Sequence, residues 1–317
     1  MKCNLYIIWI LLQCLCCFIF PNPGQTESVK NVLKKARCGG TFKQPEKNEL
    51  ALAKSLFAGM LNGVDLVDSV DAVDRGGRTD HRNFLDLKSA WQKLDYDFKK
   101  IQEKQTVFYA LSETDSRKSG RGFFLFPARS GRDILLEIPH SFKDLYTGDI
   151  GLKLFLEGQF AAAAWNTVPR YFTENKVKID ADMSDLMETW FAAFTKAFAS
   201  KYPKGHVIQL HGFARGKRKS LSGKVSDMII STGIHHPPPW LNSMDQCLES
   251  KFSAVINTFP LETKELGATQ TSIGMVMRNM GHQGFLHIEI SKAMRKALRD
   301  NAASREKLLG CFKDVLK

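Results

Sequence analysis

The chain lacks the short motifs that mark many enzyme classes. It has no glycine-rich P-loop to cradle a phosphate and no Gly-x-Ser-x-Gly elbow to expose a serine. It also has no helical His-Glu-x-x-His pair to hold a metal. Cysteine is scarce beyond the N-terminal segment. Four of the seven, Cys3, Cys14, Cys16 and Cys17, fall within the first 24 residues, leaving Cys38, Cys247 and Cys311. Three cysteines make no disulfide framework, although two can pair in an exported protein. Their spacing gives no Cys-x-x-Cys knuckle, so sulfur is not the expected ligand of any metal. Long apolar runs are absent after Leu5–Phe20, and that run is only 16 residues long, short for a membrane span. No aromatic residues interleave with the basic Lys217-Arg218-Lys219, so nothing there would stack nucleic-acid bases, and no specific nucleic-acid partner is expected.

What is present fits a globular protein: 44% hydrophobic and 25% charged residues over 317 positions, enough to build one large domain or two modest ones. The net charge of +12 favours acidic partners, although the lysines and arginines are spread along the chain, as on a solvated basic surface. Lys2 precedes the apolar run and Pro21-Asn-Pro-Gly24 breaks it, the plan of a secretory signal. The expected location is therefore secreted or periplasmic, with no stable transmembrane span once the leader is removed. An uncleaved N-terminal anchor is the alternative. Three segments follow: 1–24 as leader or anchor, 25–104 as linker and helical region, and 105–317 as an α/β region.

In the middle segment, Leu50, Ala53, Leu56, Phe57, Met60 and Leu61 recur at helical spacing within Asn48–Val67. Leu87, Trp91, Leu94 and Phe98 do the same within Phe84–Ile101. Near residue 106 the texture changes. Thr106–Leu111 and Gly122–Phe126 predict a hairpin, and strands then alternate with helices. Helices are expected over Asp149–Ala164, Met183–Phe198, Met244–Phe252 and Lys292–Leu316. Strands are expected at Asp227–Ile230 and Ala254–Asn257. The pattern predicts an α/β fold in three layers, with a mostly parallel or mixed central sheet, helices on both faces and a helical N-terminal region before it.

Three apolar runs end on residues that a metal or a proton can use: Asp133–His140, His206–His211 and Phe285–Glu289. In open α/β sheets, ligands bind outside the carboxyl ends of the strands. His140 is followed four residues later by Asp144, within Pro139-His-Ser-Phe-Lys-Asp-Leu-Tyr-Thr147. His211 precedes Gly212, which would permit close approach after the strand. Alternation puts His287 and Glu289 on one face of their strand and Leu286, Ile288 and Ile290 on the other. Zinc takes histidine nitrogen and carboxylate oxygen, with three protein ligands and one open position in catalytic sites. Taken singly, each of these residues is more simply a hydrogen-bonded histidine or an ion-paired acid. His235-His-Pro-Pro-Pro239 is more simply a stiff loop.

A His-plus-acid pair after one strand, a second His ending a later strand, and a late Glu occur in an order that resembles the zinc carboxypeptidase-like hydrolases. That group includes N-formylglutamate amidohydrolases and poly-γ-glutamate hydrolases. Phe285-Leu-His-Ile-Glu-Ile-Ser291, followed by a basic helix with Arg295, looks like the late segment of the amidohydrolase branches. The resemblance covers roughly residues 105–300 in order and character. One departure is the acid, which comes four residues after His140 where the peptidase branch has three; Glu137 is the substitute ligand if Asp144 fails. The resemblance implies one Zn²⁺ held by His140, Asp144 and His211, with Glu289 as the base. It also implies a cation beside the substrate: Arg170 first, with Arg215 and Arg218 as alternatives. Arg215, Arg218 and Thr147 would line the substrate site. The implied activity is hydrolysis of an amide in an acidic or carboxylate-bearing peptide or polymer. The alternative is a non-catalytic envelope binding protein with a degenerate pocket.

Overall fold

The computed structural model describes residues 27–63, 78–129 and 131–316, so the expected leader over residues 1–24 lies outside them. Helix α1 (Val29–Ala36) begins at Ser28, whose hydroxyl accepts from the Asn31 N–H, and it buries Val29, Val32, Leu33 and Ala36. Next come α2 (Lys47–Gly63) and α3 (Arg78–Lys93). The helix expected over Phe84–Ile101 stops at Lys93. Asp95 adopts φ +59°, and the chain enters strand β1 (Tyr96–Glu103), which pairs antiparallel with β2 (Thr106–Glu113). Phe98 is buried in both readings; the left-handed residue between helix and strand decides against a continuous helix. The boundary expected at residue 105 falls in the turn of this hairpin.

Next in chain order are β3 (Phe123–Pro127), β4 (Arg132–Ile138), α4 (Thr147–Glu157) and β5 (Phe160–Trp165). A single helix was expected over Asp149–Ala164, but α4 ends at Gly158 and the alanine run is strand β5. Every residue of β5 is buried, and the small side chains suit a strand covered on both faces, so packing overrides alanine's helix propensity. Strands β6 (Tyr171–Glu174) and β7 (Val177–Asp180) form a separate hairpin. Helix α5 (Trp190–Lys201) starts later than the expected Met183, because Thr189 caps it by accepting from the Ala192 N–H. Residues 183–189 are therefore loop.

Beyond α5 lie β8 (His206–Phe213), α6 (Leu221–Val225), β9 (Met228–Ser231), α7 (Trp240–Lys251), β10 (Ile256–Thr258) and α8 (Ser272–Asn279). The C-terminal elements are β11 (Phe285–Ser291), α9 (Lys292–Asp300) and α10 (Ala302–Val315). The single helix expected over Lys292–Leu316 is broken at Asn301, whose side chain caps α10.

The nine strands run in the order β1-β2-β3-β5-β4-β8-β11-β9-β10. Strands β5, β4, β8 and β11 are mutually parallel; β1, β2, β3 and β5 pair antiparallel, and β9 pairs antiparallel with β11. The sheet is mixed, with its parallel part at the centre. Two cores flank it. One packs Ile134, Leu136, Ile208, Leu210 and Ile288 against α1, α4, α7, α9 and α10. The other packs Leu135, Val207 and Phe285 against α2, α3, α5 and α8, around the rings of Phe57, Trp91, Phe124 and Trp190. Helices α7 and α10 are joined by a disulfide between Cys247 and Cys311, while Cys38 is buried and has no disulfide partner among the described residues. No helix among the described residues is long and apolar enough to cross a membrane.

Candidate metal centre and active site

The three strands with functional ends are neighbours in the sheet. Glu137 of β4 pairs with Gln209 of β8, and His211 of β8 pairs with Glu289 of β11, so all three chains leave the sheet at one edge. His140 stands two residues beyond β4. The backbone N–H groups of Lys143 and Asp144 both donate to the His140 carbonyl at 3.0 Å, closing a helical turn. That turn puts residues four apart on one side, and Asp144 Oδ2 lies 3.4 Å from His140 Nδ1. The spacing that departs from the peptidase pattern thus still brings the acid to the histidine.

His211 Nδ1 lies 3.1 Å from His140 Nδ1 and 3.6 Å from Asp144 Oδ2. A tetrahedral zinc with bonds near 2.0–2.2 Å sets its ligand atoms roughly 3.3–3.6 Å apart, so this triangle has the dimensions of such a site. Asp182 supplies the orientation. Its Oδ1 is 2.8 Å from His140 Nε2, and Ser184 Oγ is 3.0 Å from the same nitrogen. In the tautomer that carries its proton on Nε2, that N–H would donate to Asp182 and leave the Nδ1 lone pair for a metal on the side of His211 and Asp144.

Electrostatics follow from burial and from these contacts. Burial drives the His211 pKa down to about 4, which leaves a neutral imidazole, the form that binds a metal. It opposes the charge on Asp144, yet hydrogen bonds from His140 and His211 outweigh it and hold that carboxyl well below the usual carboxylate range. His140 moves the other way: burial disfavours its cation, but Asp144 and Asp182 raise its pKa overall. Burial, and then the charge of Asp144, push Glu289 up to about 8.

A second donor group adjoins the first: ligand atoms of His211, His287 and Glu289 lie within 4.8 Å of one another. His211 Nε2, His287 Nδ1 and Glu289 Oε2 are buried with no hydrogen-bond partner among the described residues. Unpartnered buried polar atoms mark a site completed by something else. They face a cavity of about 570 Å³ whose walls include His140, Asp144, His211, Glu289, Arg170 and Arg295.

The remaining residues singled out from the sequence are placed as follows. Arg170 lines the cavity, pairs through Nε with Asp182, and brings Nη2 to 2.8 Å from His140 Nε2. Arg218 lines the cavity 3.5 Å from Glu265. Arg215 is turned away, donating to the Ser226 carbonyl and pairing with Asp227. Thr147 is fully buried and donates to the Asp144 carbonyl at 2.7 Å, so it braces the turn and does not line the cavity. Glu137 is no ligand: Gln209 Nε2 donates to it at 2.9 Å, and Thr195 Oγ1 lies 2.6 Å away.

Asp182, Ser184 and Arg295 were not legible as site residues. Asp182 and Ser184 sit at the start of a stretch that reads as helix, and only the Thr189 cap signals that the helix begins later. Arg295 reads as one cation in a basic amphipathic helix.

No family model matches the chain, and no curated protein matches it in sequence. Among solved structures it is similar to the N-formylglutamate amidohydrolase of Ralstonia eutropha, at 11% identity and a TM-score of 0.40 over 60% of this chain and 95% of that one. It is similar to a metallo-carboxypeptidase of Burkholderia cenocepacia, at 11% identity and a TM-score of 0.36 over 75% and 70%. An aspartoacylase family protein of Mesorhizobium loti is similar at 13% identity and a TM-score of 0.35 over 70% and 68%.

Proposed function

We propose that the protein is a zinc-dependent hydrolase of amide bonds in a carboxylate-bearing, peptide-like substrate. One observation carries the proposal: His140 Nδ1, Asp144 Oδ2 and His211 Nδ1 converge at 3.1–3.6 Å on the sheet edge that also presents Glu289. The donor set of two imidazoles and a carboxylate fits zinc, and His140, Asp144 and His211 would hold it. A bound zinc ion lowers the pKa of a water to about 7 and polarises a carbonyl.

The chain's own groups supply the rest. Asp182 keeps the His140 proton on Nε2 and its lone pair toward the cavity. The Gly212 N–H donates to Asp144 Oδ2 at 2.9 Å and fixes that carboxylate. Glu289, raised toward neutrality by burial, can take a proton from an attacking water and return it to a leaving amine. Arg170, held by Asp182 beside His140, brings positive charge to the wall where negative charge develops. The Cys247–Cys311 disulfide favours an oxidising compartment, secreted or periplasmic.

Elemental analysis of protein purified with zinc supplied tests the core of this reading. About one zinc per chain is expected, lost in His140→Ala and in His211→Ala. Wild-type protein that stays metal-free sinks it.

A further inference from the structure

Register and alternation sort one face of the central strands into rows. Leu135, Val207 and Phe285 stand side by side across β4, β8 and β11. Two residues farther along come Glu137, Gln209 and His287, and beyond them His211 and Glu289. The first row is apolar, and the last belongs to the candidate site. The middle row is polar yet lies in the core: Glu137 and Gln209 are fully buried, and His287 is 3% exposed. Polar groups at such depth are costly unless they are partnered.

Glu137 is partnered by Thr195 and by Gln209 Nε2. That contact commits the amide. Its nitrogen is engaged on the β4 side, so its oxygen is left for the β11 side, where His287 is the residue in register. Gln209 Oε1 and His287 Nδ1 are both buried with no hydrogen-bond partner among the described residues. An amide oxygen only accepts, so the two atoms satisfy each other when Nδ1 carries the imidazole proton. Burial favours the neutral ring, which has one proton to place. With that proton on Nδ1, Nε2 keeps its lone pair. The ring stacks on His211, with centroids 4.5 Å apart and planes inclined by 34°, and Nε2 lies 4.0 Å from Glu289 Oε1. His287 thereby brings an acceptor to a cavity wall that also holds groups able only to donate, such as Arg170, Arg218 and Arg295.

In the hydrolase reading, the leaving nitrogen approaches Glu289 to receive a proton. A secondary amide brings an N–H to the same place, and away from water that N–H needs an acceptor. We propose that Gln209 is a positioning residue that acts through His287: it keeps the His287 proton on Nδ1, and the free Nε2 receives the N–H of the substrate's amide beside Glu289. The amide contact rests on the hydrolase reading, and the tautomer does not.

Nitrogen-15 spectra of the histidine side chains separate the two tautomers, and His287→Gln identifies the signal. Wild type should show Nδ1–H with and without zinc. Gln209→Met keeps the length of the side chain, removes its acceptor and should shift His287 toward Nε2–H. An Nε2–H tautomer in wild type overturns the proposal, whether or not Gln209→Met folds, as does an unchanged tautomer in folded Gln209→Met. The amide contact is read by calorimetry on zinc-free protein, where zinc-dependent turnover is excluded, with N-acetylglycine and its N-methyl counterpart N-acetylsarcosine. Wild type should bind N-acetylglycine roughly fivefold more tightly. His287→Ala and Gln209→Met should lose this preference, whereas a steric penalty on the methyl group would survive in both. Failure of wild type to bind N-acetylglycine, equal binding of the two ligands, or a preference that survives in His287→Ala overturns the contact. If zinc never binds while the tautomer and the preference both depend on Gln209, the hydrolase reading fails and the positioning role stands.

Discussion

Asp182 acts at one remove from the cavity. Its Oδ1 lies 2.8 Å from His140 Nε2, where it favours a proton on that nitrogen and leaves Nδ1 for a metal, and it also holds Arg170. Asp182→Ala should therefore weaken zinc binding by about 10–100-fold without unfolding the protein, as read by competition with a chelator. Unchanged affinity would mean that His140 is oriented by something else. Glu289→Gln separates binding from chemistry. Zinc content should be unchanged while turnover falls by about 10²–10⁴-fold; full activity in this variant removes Glu289 from proton transfer. The sequence exposes some of these residues and hides others for a physical reason. His140, His211 and Glu289 each end an apolar run, so local texture marks them. Asp182 owes its place to what faces it across space, and nothing in its own neighbourhood distinguishes it from a capping acid.

The two strands that lead to the histidines are tied together by a buried polar contact. Gln209 donates from β8 to Glu137 on β4, with Thr195 of α5 on the second oxygen. Burial raises Glu137 from 4.5 to about 7 against the effect of these hydrogen bonds. Between those values the folded protein keeps a proton that the unfolded chain has released. Stability should fall as pH rises through this window and level off above it, by roughly 3 kcal/mol from this group. A glutamine can keep both contacts and does not titrate, so Glu137→Gln should match wild type near pH 5 and exceed it at pH 8 in urea unfolding. Identical pH dependence in the two proteins would exclude Glu137 as the cause. Farther out, the Cys247–Cys311 bond joins α7 and α10 across 64 residues. Loop-closure entropy gives such a crosslink about 4 kcal/mol, so reduction or Cys311→Ser should lower the denaturation midpoint by a corresponding amount; an unmoved midpoint would show that the unfolded chain is not the state it constrains. Strands β4, β8 and β11 were easier to read than helix ends, because their apolar runs are short and uninterrupted, whereas β1 and β5 were read as helix. Helix limits turned on single residues such as Asp95, Gly158 and Asn301, whose backbone angles or caps break patterns that composition alone would extend.

At the scale of the whole molecule, the layered α/β plan was legible because two periodicities alternate along the chain, yet the strand order was not. Nothing local states that β9 runs against β11, or that the first hairpin extends the sheet beyond β3. The net charge of +12 adds a long-range component that local motifs do not show. A basic protein draws anions toward its clefts, in keeping with a cavity whose wall includes Lys143, Lys217, Lys292 and Arg295. The position of β11 has a further consequence. This strand lies between β8 and β9, although both are translated well before it. During synthesis, the edge of β8 that will carry Glu289 beside His211 has no neighbour until residues 285–291 emerge. A fragment ending between residues 213 and 285 would hold both histidines and leave this edge of β8 unpaired by β11. The chain thus brings Glu289 beside His211 and covers this edge of β8 in a single late event. Completion of the candidate site and protection from self-association are bound to the same seven residues.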